Sequence, residues 1–191
     1  GPFWATRTRE SAPEVVAQLK SNLHDLAQHH HAMAQKGHKA ADYQQAARWY
    51  RDLLKSFPDE PDTAETNYLL ADLLFESGQF REAALEYERT AYDRPSGPRS
   101  GTAAYSSLLA YDRHAESLKG AELEAWRAQS IEGELRFAST FPEHAEAPAV
   151  QVRAMQQLFD RREYERAIAE AGKVLTWLPP MPVERERLAL N

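Results

Sequence analysis

The sequence predicts an all-α chain, an α-solenoid of antiparallel helix pairs stacked side by side. Three observations predict it. Tyr43, Ala46, Tyr50 and Pro58 return as Phe80, Ala83, Tyr87 and Pro95, each 37 residues later, and a fixed period of roughly 20–50 residues marks a repeat architecture. The 31 alanines outnumber the 8 valines and isoleucines, a balance that favours close helix packing over a sheet. Glycine and proline fall between the periodic segments, where helices turn or stop. The pattern predicts about four repeats within 11–180, at approximately 11–58, 61–95, 99–142 and 144–179.

Gly1-Pro2 resembles the dipeptide left when a protease removes an expression tag, and the residues up to Glu10 are expected to be irregular. Ser11 is placed to cap a helix with Pro13 in its first turn. Val15, Val16, Leu19, Leu23, Leu26 and Met33 then predict one long helix to about Gln35, ending near Gly37. Asp42–Ser56 forms the return arm, Phe57 to Asp62 a turn, and Asp62 or Thr63 the next cap.

The clearest pair lies between Glu65 and Pro95. Asn67, Leu70, Ala71 and Leu74 give its first arm one apolar face, Gly78 breaks the helix, and Ala83, Tyr87 and Thr90 line the second arm. The loop Pro95-Ser96-Gly97-Pro98 precedes a longer pair, about Arg99–Lys119 and Ala121–Thr140. Here the interval from Pro95 to Pro142 is 47 residues, ten more than the period, and the spacing around Gly120 divides those ten equally between the arms. Each arm is therefore expected to gain roughly 7 Å at 1.5 Å per residue. His144–Arg161 and Tyr164–Trp177 make the fourth pair. Met181-Pro182-Val183 begins what reads as a further helix, cut at Asn191, as in a fragment of a longer array.

This order of small residue, large residue, Gly, aromatic, Ala, aromatic and Pro resembles the tetratricopeptide repeat. The resemblance implies a right-handed superhelix whose first arms line a concave groove. Carried over position by position, it puts Glu65, Tyr68, Asp72, Phe75 and Glu76 in the groove from repeat two. Repeat three gives Thr102, Tyr105, Leu109, Asp112 and Arg113; repeat four gives Ala149, Val152, Gln156, Phe159 and Asp160. Repeat one gives Gln28, His31, Gln35, His38 and Lys39, although His30 and Ala41 depart from the family pattern there. The expected partner-binding set is Tyr68, Asp72, Phe75, Glu76, Tyr105, Leu109, Asp112, Arg113 and Phe159. Aromatic anchors beside carboxylates suit an extended or helical peptide with basic residues. The competing reading is that these aromatics pack between neighbouring first arms while the acids form a solvated face.

Composition narrows the function classes. A net charge of −6 argues against a nucleic-acid backbone as partner. No run approaches the roughly 18 apolar residues of a spanning helix, so direct membrane insertion is not expected. The chain has no cysteine, hence no disulfide framework and no thiolate chemistry, which suits the cytoplasm and a periplasm alike. His24, His29, His30, His31 and His38 crowd one helix, yet no two are three or four apart, the spacing at which two imidazoles share a ligand. No phosphate loop, nucleophile elbow or HExxH is present. The expectation is a non-catalytic interaction scaffold with no cofactor and no metal. Alternatives are a self-assembling structural module and a metal- or ligand-responsive sensor using the histidine helix. The turn Phe57-Pro58-Asp59-Glu60-Pro61, followed by an alanine- and tyrosine-rich helix, looks like the TPR lipoproteins and periplasmic TPR proteins of Gram-negative envelopes. That likeness implies an envelope or periplasmic setting, with assembly, secretion or polymer export as the process.

Overall fold

The computed structural model describes residues 12–93 and 97–175, and every regular element among them is helical. The elements are α1 (Pro13–Gly37), α2 (Ala40–Ser56), α3 (Thr63–Glu76), α4 (Phe80–Glu88), α5 (Ser100–Ala115), α6 (Gly120–Thr140), α7 (Ala147–Asp160) and α8 (Tyr164–Leu175). A π-helical turn, Arg89–Asp93, continues α4. The chain divides between Arg99 and Ser100 into two compact units. The first holds α1–α4 and the second α5–α8. Residues 95 and 96 of the expected loop, the expected irregular stretch up to residue 10, the cap Ser11 and the further helix after Met181 lie outside the described residues.

Within each unit, consecutive helices pair antiparallel. His31 meets Tyr50 while His38 meets Tyr43, so residue numbers rise along α1 as they fall along α2. The same holds for α3 and α4, where Asn67 bonds to Glu86 and Phe75 packs against Phe80. It holds again for α7 and α8, where Gln151 bonds to Glu170 and Phe159 packs against Tyr164. The residues expected to face inward do so. Asn67, Leu70, Ala71 and Leu74 are buried in α3, as are Ala83, Tyr87 and Thr90 opposite them. Tyr164 differs. It sits at the hairpin tip against Phe159 and stays 49% exposed.

The two units repeat one another's backbone at an interval of 84 residues. After α3, Ser77, Gly78 and Gln79 donate to the carbonyls of Leu73, Phe75 and Leu74; after α7, Arg161, Arg162 and Glu163 donate to Gln157, Phe159 and Leu158. Both turns pass through a left-handed residue, Gly78 at φ 78° and Arg162 at φ 64°. Glycine takes that conformation without steric cost and arginine does not. The loops before α3 and α7 match too, since Phe57 bonds back to Leu53 and Phe141 to Phe137.

Three local expectations change. Asp62 stands at the N-cap of α3 without capping it, because its carboxylate is taken by Lys20 at 2.9 Å. The Glu86 carbonyl accepts both the Asn67 amide at 2.7 Å and the Thr90 hydroxyl at 3.1 Å. The Arg89 amide donates to it as well, and the π-helical turn begins at that residue. The long pair is also less even than its spacing implies. Its first arm ends at Ala115, where Ser117 donates its hydroxyl and its amide to the His114 carbonyl. Thus α5 has 16 residues against 14 in α3, while α6 runs to 21.

Small residues set how closely the arms approach. Ala71, Ala83, Ala84, Ala103, Ala104 and Ala154 are all fully buried. Ala83→Leu should therefore force α4 away from α3 and lower stability by about 1–3 kcal/mol, read as a lower denaturant midpoint. An unchanged midpoint would remove Ala83 from that interface.

Candidate functional site

In the first unit, side chains of α1 and α3 meet. Gln35 donates to Glu76 at 2.9 Å, and His31 Nε2 lies 3.6 Å from the same carboxylate. His31 is buried, with Nδ1 3.0 Å from the Tyr50 hydroxyl. Burial first, then the charges of Asp72 and Glu76, push Tyr50 up to about 12. It therefore stays a neutral hydroxyl at neutral pH, able to donate or accept.

Beside this cluster, the Tyr87 hydroxyl donates to Asp72 at 2.5 Å. Burial raises the Asp72 carboxyl, and the Tyr87 bond opposes that rise. Tyr68 packs edge-on against Tyr87 and lies beneath the Arg99 guanidinium, 4.7 Å from its ring centre. Arg99 is itself held by Glu65 through two bonds of 2.7 and 2.8 Å. Tyr68 is left 8% exposed. For Tyr68, then, the packing reading describes the side chain: it is enclosed rather than offered. Phe75 is half-buried against Phe80, and Glu76 keeps an open edge.

In the second unit, Tyr105 is half-buried against Phe137 and His144. Leu109 on α5 remains 40% exposed and Phe159 on α7 56%. Asp112 pairs with Arg153 at 2.9 Å, which links α5 to α7 much as Gln35 and Glu76 link α1 to α3. Arg113 is exposed, with Glu116 3.9 Å away. The expected acids are thus mostly engaged with neighbours, unlike a simple solvated face.

One buried group escapes sequence reasoning. Glu134 of α6 is 1% exposed. Its carboxylate accepts from Gln157 at 3.0 and 2.9 Å and from Arg153 at 3.0 Å. Burial raises its carboxyl, while Arg153 and Gln157 hold it down. The available signal was position: Glu134 follows Ile131 by three and precedes Phe137 and Ala138 on a buried stripe.

Among the described residues, no three His, Cys, Asp or Glu side chains gather as a metal would require. Nor is any described helix long and apolar enough to cross a membrane. No family model matches the chain, and no curated protein matches it.

Proposed function

We propose that this protein is a non-catalytic scaffold that holds a partner protein or peptide on the first arms of its helix pairs. The observation that carries the reading is in the second unit. Leu109 and Phe159 stay open to solvent on α5 and α7, with Asp112 one turn from Leu109 and Asp160 next to Phe159. Apolar anchors beside carboxylates fit a partner that brings apolar and basic side chains together. Tyr105 and Arg113 lie on the same arm as Leu109, while Tyr68, Asp72, Phe75 and Glu76 lie on the first arm α3 of the other unit. The tetratricopeptide resemblance supports the same reading, and the envelope or periplasmic setting rests on the Phe57–Pro61 turn.

The double variant Leu109→Ser with Phe159→Ser tests it. Each anchor is expected to contribute on the order of 1 kcal/mol or more, so capture from the source extract should fall about tenfold or more with the helical spectrum unchanged. Undiminished capture would move the site elsewhere.

A second reading, self-assembly, has its own support. Val15, Leu19, Leu26 and Met33 are 44%, 41%, 37% and 46% exposed along α1, at separations of four, seven and seven residues. That is a seam of coiled-coil type. Light scattering at several concentrations separates the readings: a mass that rises and returns to the monomer value in Leu26→Glu favours the seam.

A further inference from the structure

The side of α1 that carries Val15, Leu19, Leu26 and Met33 is turned away from α3. Gln35, which bonds to Glu76 of α3, follows Leu26 by nine residues, about two and a half turns, and so points the opposite way. The N-terminal half of α1 is also without its second arm. His31 is level with Tyr50 and His38 with Tyr43, which brings Ser56, the last residue of α2, level with Asp25. The half of α1 before Asp25 therefore runs past the end of α2. There Lys20 reaches back to the following turn, to Glu60 and Asp62, each at 2.9 Å.

Charge beside the apolar seam is divided along the helix. Glu14, Asp25 and Lys36 follow one another at intervals of eleven residues, about three turns, so all three lie on one flank. All are exposed, and none has an ion pair among the described residues. The flank thus runs from acidic to basic, a pattern that complements its own reverse.

We propose that a second copy of this chain covers this face, its α1 packed antiparallel with the twofold axis level with His24. The inference rests on the self-assembly reading above and specifies its geometry. In this register Val15 lies opposite Met33 of the second copy, Leu19 opposite His29, and Leu26 opposite Asn22, each twice by symmetry. A shift of one heptad either way places Met33 opposite position 8 or Val15 opposite position 40, both beyond the ends of α1. The register level with His24 covers all four apolar side chains. Charge selects the direction. Antiparallel packing sets Glu14 of each copy beside Lys36 of the other, two attractions, against one repulsion where the Asp25 side chains approach near the axis. Parallel packing sets Glu14, Asp25 and Lys36 each against its own copy, three repulsions. Asn22 and His29 interrupt the seam, so the dimer is expected to be weak, with a Kd on the order of 0.1 mM.

The chain has no cysteine, so single introduced cysteines report the pairing without background. Val15→Cys and Met33→Cys both change exposed positions. Within an antiparallel dimer of either variant the two thiols lie about 27 Å apart along the axis, so with a short bismaleimide an equimolar mixture should crosslink about fivefold or more over either variant alone. Sedimentation equilibrium provides the second readout. Glu14→Lys should weaken the dimer roughly two- to tenfold, the loss of two exposed pairs, and adding Lys36→Glu should restore it. Both changes oppose the helix dipole, so an effect through helix stability would deepen in the double variant rather than recover. Val15→Cys crosslinking alone as well as in the mixture would mean parallel pairing and overturn the proposal. A double charge variant weaker than the single would overturn it too. In either case, a dimer that returns to monomer in Leu26→Glu leaves the seam standing. A mass that stays monomeric up to about 1 mM, tenfold above the expected Kd, removes the seam and the pairing together.

Discussion

Replacing Arg153 with methionine is expected to destabilise the protein by about 3 kcal/mol at pH 7, the low end of the range for breaking a buried ion pair. The low end applies because Arg153 is 40% exposed and Gln157 still donates to Glu134 after the substitution. What remains costly is Glu134, a charge left in the interior with one partner fewer. The effect has a definite pH dependence. Burial already raises the Glu134 carboxyl in the folded state. A group so raised favours folding below its unfolded pKa and loses that contribution as pH rises through its folded value. Removing Arg153 raises it further. The deficit should therefore be largest near neutral pH and shrink as pH falls toward 4.5, the ordinary value for the group. The pair Glu134→Leu with Arg153→Met should recover most of the loss, since a buried ion pair can often be exchanged for apolar residues at little cost. Urea midpoints of the single and double variants at pH 7 and pH 5 measure both effects. A single variant equally weakened at both values would mean that Glu134 is not the source.

Leu158→Ala should cost about 2–5 kcal/mol. Leu158 is fully buried and packs with Ile131, Met155 and Ala167, with Leu135, Val152 and Ala171 around them. Small neighbours such as Ala167 and Ala171 cannot extend to fill the space that the leucine leaves, and the cost of a truncation rises with the cavity that persists. Leu74 holds the equivalent place 84 residues earlier and is equally buried. Leu74→Ala should therefore cost a comparable amount. Calorimetric unfolding of each variant gives the comparison, and a loss below about 1 kcal/mol at either position would show a site able to collapse.

The parts of the fold legible from sequence are those set by local chemistry. Gly78 and the buried stripes of α3 and α4 could be read because a left-handed turn and a helical period each leave a mark on residue type. The matching turn after α7 was harder, because Arg162 holds the left-handed position where glycine would have announced it. The uneven long pair was hidden for another reason. A serine hydroxyl bonding to the His114 carbonyl ends α5, and nothing in the spacing around Gly120 registers that.

The site was less legible still. Tyr68 occupies an expected binding position, yet Arg99 covers it from 31 residues away. Periodicity within one helix carries no information about such a lid. Glu134 lies in a helix that also carries Glu122, Glu124 and Glu132, so one buried carboxylate looks like another solvated one. Leu109 and Phe159 were named by their place in the tetratricopeptide pattern, and both side chains are exposed.

The most direct test of the scaffold reading is site-specific photocrosslinking. A benzophenone side chain is placed in turn at Leu109, Phe159, Leu85 and Ile168, all exposed. The first two lie on first arms, α5 and α7, and the others on second arms, α4 and α8. The account predicts covalent partner adducts from positions 109 and 159 and none from 85 or 168. Adducts confined to 85 and 168 would contradict it.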